Sequence, residues 1–256
     1  MATEVRVGCS GWDYPHWKAR FHAADVSRRV WLEAYATAFD CVELNNSFYR
    51  LPTPETFSGW ASRVPPSFLF AVKASRYLTH MKRLKDPVEP LHRLLEHAQH
   101  LGGHLGPILY QLPPRWMPDL QRLSTFLGAL PDVTPGDDGP RVGPLRHVIE
   151  FRHDSGVTDH VLDLLRAHDV GICLHDMPGG PQGPAARAIT SRTVYVRFHG
   201  ATGRYSGRYP DNVLDEWAEF LRAHIEAGGD VFAFFNNDVD AQAPDDARRL
   251  RRRLRT

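Results

Sequence analysis

"VELNNSFYRLP", residues 42–52, reads as the end of a strand that carries polar groups out of an apolar layer. With Cys41 in front of it, Val-Glu-Leu is short and apolar apart from one carboxylate, as a buried strand is. Glu43 in such a strand is costly unless it is paired or used. Asn45, Asn46 and Arg50 follow at once, beside Phe48 and Tyr49. A strand whose carboxyl end turns polar is the pattern of a barrel enzyme's active face.

The pattern recurs along the chain. Residues 5–9, 68–73, 108–111, 147–151, 170–175, 194–198 and 231–235 are short runs, most of them rich in β-branched or aromatic side chains. Their length and composition favour strands. Amphipathic stretches separate them. "VWLEAYATAF" sets Trp31, Tyr35 and Ala38 on one face, and "PVEPLHRLLEHAQHLGG" ends in the glycines expected after a helix. "MPDLQRLSTFLGAL" and "SGVTDHVLDLLRAHDVG" repeat the design, and "PDNVLDEWAEFLRAHIEAGG" opens on Asp211 and Asn212 as capping candidates. Strand and helix alternating eight times predict an α/β protein, a single (β/α)8 barrel of the TIM type over residues 1–256. An open doubly wound sheet is the alternative, but no glycine-rich dinucleotide turn follows the first strand. Residues 131–146, "PDVTPGDDGPRVGPLR", precede strand five and read as a mobile surface loop. Residues 248–256 read as a basic terminal tail.

Alternation sorts the strand ends, because successive side chains point to opposite faces. Val42 and Leu44 suit the helix layer and turn Glu43 and Asn45 inward. Phe68, Phe70 and Val72 do the same for Lys73, and Ile149 and Phe151 for Glu150 and Arg152. On strand seven, Tyr195, Arg197 and His199 point in. Gln111 ends strand four, His175 and Asp176 end strand six, and Asn236, Asn237 and Asp238 end strand eight. His153 and Asp154 follow Arg152. Strand starts are blander, Arg6 and His147 excepted. Polar groups from separate strands therefore converge on one mouth, which Glu43 lines. The competing reading is a structural polar layer with ion pairs such as Glu43–Lys73 or Glu150–Arg152.

Bulk composition excludes several classes. A net charge of +1 gives no global field for nucleic acid or membrane. No apolar run is long enough to cross a bilayer, and "MATEVRVGCSGW" has no basic region followed by an apolar core. Cys9, Cys41 and Cys173 match no CxxC or zinc spacing and sit in apolar runs, which argues for a reducing, cytoplasmic setting.

"GCSGWDYPHW", "VELNNSFYRLP", "FAVKASRYLTH", "YQLPP", "IEFRHDS", "VYVRFHG" and "FFNNDVDAQAPDDA" together resemble the YecE-like family, a domain-of-unknown-function group. The resemblance runs in order over essentially the whole chain, and its conjunction is specific although each piece alone is weak. It departs at Ser47, where the family pattern has Thr before Phe48, and in a longer 131–146 loop. It implies a TIM-barrel-type fold and the location of a site, and leaves the chemistry open.

Three functional readings follow. The first is an enzyme without a cofactor, performing acid–base or Schiff-base chemistry on a small anionic or polyhydroxylated, sugar-like molecule. Glu43, Lys73, Glu150 and His199 are its catalytic candidates. Arg152 and Arg197 supply forks for carboxylate or phosphate. Asn45, Gln111, Asn236 and Asn237 suit hydroxyls, His175 and Asp238 also line the mouth, and Trp12 and Tyr49 offer an apolar wall. Trp17 reads as packing. The loop "HGATGRYSGRYPD" reads equally as a lid, with Arg204 and Arg208 closing over an anion, or as a flexible surface loop. The second reading is a divalent-metal site of Glu150, Asp176, His199 and Asp238, as in an isomerase or a phosphodiesterase or endonuclease-like barrel, although Arg152 and Arg197 beside it would repel a cation. The third is a non-catalytic nucleic-acid or partner-binding module using the basic tail, against which stands an ordinary terminal helix. His92, His97, His100 and His104 lack HExxH spacing and read as a solvated face. No GxSxG elbow accompanies the serines. Glu43 and Glu150 sit too far apart round the barrel to make a strong glycosidase pair.

Overall fold

Tyr35 and Gly8 show how tightly the barrel closes. In the computed structural model, eight parallel strands run in the order β1 to β8, and β8 pairs back to β1. The structure describes residues 3–114, 116–117, 119–137, 139–153, 156–177, 187–203 and 205–255. The strands are β1 (Val5–Cys9), β2 (Cys41–Leu44), β3 (Leu69–Lys73), β4 (Leu105–Gln111), β5 (His147–Glu150), β6 (Gly171–His175), β7 (Thr193–Phe198) and β8 (Asp230–Phe235). Each expected run is a strand.

Between β1 and β2 the ladder is interrupted by a side chain. The Cys9 N–H donates to Tyr35 Oη at 2.8 Å, and the Tyr35 hydroxyl donates to the Cys41 carbonyl at 2.9 Å. A Cβ on Gly8 would lie 2.3 Å from the Cys41 oxygen and 2.9 Å from Tyr35 Oη, so only glycine admits the phenol. Tyr35→Phe leaves a buried donor and a buried acceptor unpaired, and should cost about 2–4 kcal/mol. Urea unfolding checks this; an unchanged midpoint would show that the strands close without the bridge.

The helices are α1 (Trp31–Ala38), α2 (Asn46–Tyr49, a single turn), α3 (Pro54–Ala61), α4 (Val88–Ala98), α5 (Leu120–Gly128), α6 (Asp159–Ala167), α7 (Asp211–Glu226) and α8 (Gln242–Leu254). Thr53, Asp119 and Thr158 cap α3, α5 and α6 by accepting from backbone N–H groups of the first turn. The expected caps of α7 differ: Pro210 precedes the helix, and Asp211 opens it while accepting from Arg249 and Arg253 at 2.7 and 2.6 Å. Between β6 and β7 no α-helix occurs among the described residues.

Outward strand residues pack against the helices. Inward ones, including Cys41, Ala71, Leu109, Val148, Phe232 and Phe234, plug the lower barrel. The three cysteines are free and buried. At the N-terminal face, Arg6 pairs with Glu4 and Asp40, and His147 Nε2 meets the Pro131 carbonyl at 2.8 Å, so both exceptional strand starts are structural. Hydrogen bonds tie described residues of the 131–146 loop to one another and to Gln99. Thr134 N bonds Val142 O at 2.9 Å, Leu145 N bonds Asp132 O at 2.8 Å, and Gln99 Oε1 accepts from Gly136 N at 2.8 Å.

The basic tail is the body of α8. Arg249 pairs with Asp211 and Asp246, Arg253 pairs with Asp211 and Asp215, and Arg248 and Arg251 lie over the Phe39 ring. Arg249 and Arg253 are thus engaged in ion pairs within the fold, while Arg248 and Arg252 are exposed. No helix among the described residues is long and apolar enough to cross a membrane.

Candidate functional site

Arg197 occupies the centre of the mouth and is 1% exposed. From β7 it donates to Glu43 Oε1 through Nη2 at 2.8 Å and Nε at 3.2 Å, and to Glu150 Oε2 through Nη1 at 2.9 Å. Glu43 Oε1 also accepts from Ser10 Oγ at 2.7 Å and from Asn45 Nδ2 at 3.2 Å, while Glu43 Oε2 accepts from the Tyr195 hydroxyl at 2.6 Å. Arg152 forms an ion pair with Glu150, contacts the Met177 sulfur, and donates to Gln111 Oε1 at 3.0 Å. Burial pushes the Glu150 carboxyl up, but Arg152 and Arg197 outweigh it and hold the group well below the usual carboxylate range. For Glu43, burial is likewise outweighed, by Arg197 and the Tyr195 hydroxyl.

Three expectations are corrected here. Held ionised below the usual carboxylate range, Glu43 and Glu150 form an electrostatic floor and are weak proton acceptors. They share one guanidinium although their strands lie apart round the barrel. Glu43 pairs with Arg197 and not with Lys73. The Arg197 fork is committed to protein carboxylates and leaves no fork free for a ligand. Glu150–Arg152 is an ion pair, as the structural reading anticipated.

Two carboxylates and two guanidiniums balance in the floor, and the charge above it is positive. A cavity of about 430 Å³ opens there, lined by Lys73, Arg76, Arg152, His80 and Gln111, with Phe48, Tyr49 and Tyr205 among its walls. Lys73 Nζ stands 4.2 Å from the centre of the Phe48 ring. Burial, and then the Arg197 charge, bring its ammonium down to about 7. His80 sits on a π-helical turn, Tyr77–Met81, a distortion often found at functional sites. Burial, with Lys73 and Arg76 beside it, lowers its imidazole to about 4. Sequence reasoning missed Arg76 and His80 as site residues. The signal was "KASRYLTH" directly after β3, but a π turn has no clear sequence period.

The remaining candidates divide. Tyr49 lines the cavity although it is 75% exposed, and Trp12 lines a neighbouring one. His199 is buried, with neither ring nitrogen hydrogen-bonded among the described residues. Burial lowers it to about 4, with Asp176 opposing and Arg197 assisting, so it is neutral at pH 7. Its Nδ1 is 3.5 Å from Asp176 Oδ1. His175 Nε2 is tied to the Phe151 carbonyl at 2.7 Å, a backbone contact and not a ligand one. Asn236 is buried at the end of β8. Asn237 donates to Gly207 O at 3.0 Å and Asp246 at 2.9 Å, so its amide locks α8 to the seventh loop and is turned from the mouth. Asp238 pairs with His16 at 3.5 Å, over the first loop. Trp17 is fully buried, as packing requires.

The metal quartet does not assemble. Glu150 is taken by two arginines, Asp176 by Tyr209 and the His199 N–H, and Asp238 by His16. Among the described residues no group of three or more His, Cys, Asp and Glu is placed to hold a metal ion. The seventh loop is a compact hydrogen-bonded turn, with Tyr205 N on His199 O at 2.7 Å and Ser206 N on Gly203 O at 3.2 Å. A Cβ on Gly200, at φ +116°, would lie 2.1 Å from Ser206 O, so this glycine serves turn geometry and not motion. Arg208 pairs with Asp245 on α8, away from the cavity, while Arg204 and Asp154 lie outside the described residues. His97 and His104 bond the Pro52 and Phe68 carbonyls, which makes them structural rather than solvated.

A family model described as "Protein of unknown function DUF72" matches residues 6–256. UPF0759 protein YecE of Escherichia coli (strain K12) is 28% identical over 264 residues, covering 94% of this chain and 89% of that protein. UPF0759 protein YunF of Bacillus subtilis (strain 168) is 23% identical over 275 residues, covering 96% and 93%. A solved DUF72 family protein from Thermotoga maritima MSB8 superposes with a TM-score of 0.81 at 26% identity, over 99% of this chain and 100% of that one. Matched from residue 6 to its last residue and alike in fold over nearly its full length, the chain belongs to the DUF72 family.

Proposed function

We propose that this barrel is an enzyme that binds a small anionic molecule in the cationic cavity and uses the Lys73 amine as a base or, toward a carbonyl, as a nucleophile. The observation that carries the reading is Lys73 itself. A lysine above a charge-balanced floor, faced by Phe48 and flanked by Arg76 and Arg152, is half unprotonated near pH 7. An amine matched to neutral pH is what proton abstraction and Schiff-base formation both need. Arg76 and the outer face of Arg152 remain to attract a phosphate or carboxylate. His80 and His199, both neutral at pH 7, are the accompanying groups able to accept or relay a proton. Glu43, Glu150 and Arg197 keep the site rigid and ionised without titrating.

Amine-reactive labelling tests this. At pH 7 an ordinary lysine has well under ~0.1% free amine, whereas one titrating near 7 has about half. Despite its burial, Lys73 should acetylate about 10-fold faster than the exposed Lys18 and Lys85, and inorganic phosphate should protect it. Equal rates at all lysines, or no protection, would remove the basis of the reading.

A further inference from the structure

Two chambers open on one polar floor. Beside the cationic cavity lies a second, of about 310 Å³, over the ends of β1 and β2. Its walls are aromatic. The Trp12 and Trp60 indoles meet edge to face at 5.6 Å, and Phe70 backs them at 6.5 and 6.4 Å, which fixes the corner. Tyr14 closes the opposite side, its hydroxyl donating to the Ser10 carbonyl at 2.5 Å. Gly11 sits at φ +113°, where a Cβ would come within 3.0 Å of the Tyr14 ring, so the loop lies folded against the rim. Below are Ser10, Glu43 and Asn45, and at the rim Asn46 is exposed.

The chambers differ in charge. The first has Lys73, Arg76 and Arg152 in its lining; the second has no cationic side chain in its lining. They share a floor: Arg197 bridges Glu43 and Glu150, and Gln111 Oε1 accepts from Arg197 at 3.4 Å and from Arg152 at 3.0 Å. An aromatic corner with amide and carboxylate oxygens beneath it suits a neutral ring that has an apolar face and hydroxyl edges.

We infer that the Trp12–Trp60 chamber is a subsite for a hydroxyl-bearing ring, so that the mouth takes a sugar carrying a phosphate or carboxylate. The anion sits over Lys73, Arg76 and Arg152; the ring lies against Trp12, with hydroxyls toward Asn45 and Asn46. This inference rests on the anion reading above and adds the other half of the ligand.

Calorimetric titration with inorganic phosphate, glycerol 3-phosphate and glucose 6-phosphate tests it, with Trp12→Ala as the variant. Glucose 6-phosphate should bind the wild-type protein at least about 10-fold more tightly than the other two, and the variant should bind all three within about 3-fold. Phosphate affinity should be unchanged in the variant, which also shows that it is folded. Equal affinity of all three probes for the wild type overturns the ring subsite and leaves the anion site standing. Loss of phosphate binding in a folded Trp12→Ala protein overturns it too, because Trp12 would then serve the anion chamber. Failure of every probe to bind the wild type overturns both readings together.

Discussion

Replacing Arg197 with methionine should destabilise the protein by about 3–5 kcal/mol, because it leaves two fully buried carboxylates without their shared partner. Glu43 and Glu150 are both 0% exposed, and each takes a charge-assisted bond of 2.8 or 2.9 Å from this one guanidinium. Glu150 keeps Arg152, and Glu43 keeps only neutral donors: Ser10, Asn45 and Tyr195. The sign with pH is fixed. In Arg197→Met the Glu43 carboxyl, fully buried with only neutral hydrogen-bond donors, rises above its unfolded value, so folding takes up a proton there, while Arg152 still holds Glu150 down. The deficit is then smallest at low pH and grows as pH rises through the raised value. Adding Glu43→Gln, with Glu150 left paired to Arg152, should recover half or more of the loss, since a buried ion pair can be replaced by neutral groups at modest cost once no charge is orphaned. Urea unfolding at pH 5 and 8 measures both effects. A single-variant loss under about 1 kcal/mol would mean that water reaches the floor and screens it.

Lys73 gives the second large effect, of opposite sign. Its ammonium titrates near 7 when folded against 10.5 in the unfolded chain. Between those values the unfolded state binds more protons, so wild-type stability rises with pH across this window. Lys73→Met removes the buried charge. It should stabilise the protein by roughly 2–4 kcal/mol at pH 6, with the gain fading as pH approaches 10. Activity and anion binding should be lost in the same variant, so the substitution separates stability from function. A variant that is less stable than wild type at pH 6 would show that Lys73 is paired and not strained.

Much of this was legible in the chain. The eight strands were visible because each is a short run of apolar, largely β-branched or aromatic residues ending in polar ones. Alternation alone turned Glu43, Lys73, Glu150 and Arg197 inward, since period two leaves no other face for them. The partnerships were not legible. Arg197 joins carboxylates from β2 and β5 across the barrel, and nothing local distinguishes that pairing from Glu43–Lys73. Tyr35 read as one more apolar face residue of α1, whereas it replaces a rung of the β1–β2 ladder. The seventh-loop glycines suggested motion because glycine is permissive; Gly200 instead satisfies one tight turn. Asn237 and Asp238 follow β8 as a mouth residue would, yet the backbone bends after Phe235 and sends them to α8 and the first loop. His80 reaches the cavity on a π turn.

A proton titration followed at the Lys73 side-chain carbon by NMR reads the free amine directly. With four lysines in the chain, Lys73→Met identifies the signal by its loss. A midpoint near 7 that moves upward when inorganic phosphate is added is the predicted result, because a bound anion favours the charged form. A midpoint above about 10, with no response to phosphate, would contradict it: Lys73 would be an ordinary ammonium, and the mouth a structural polar layer.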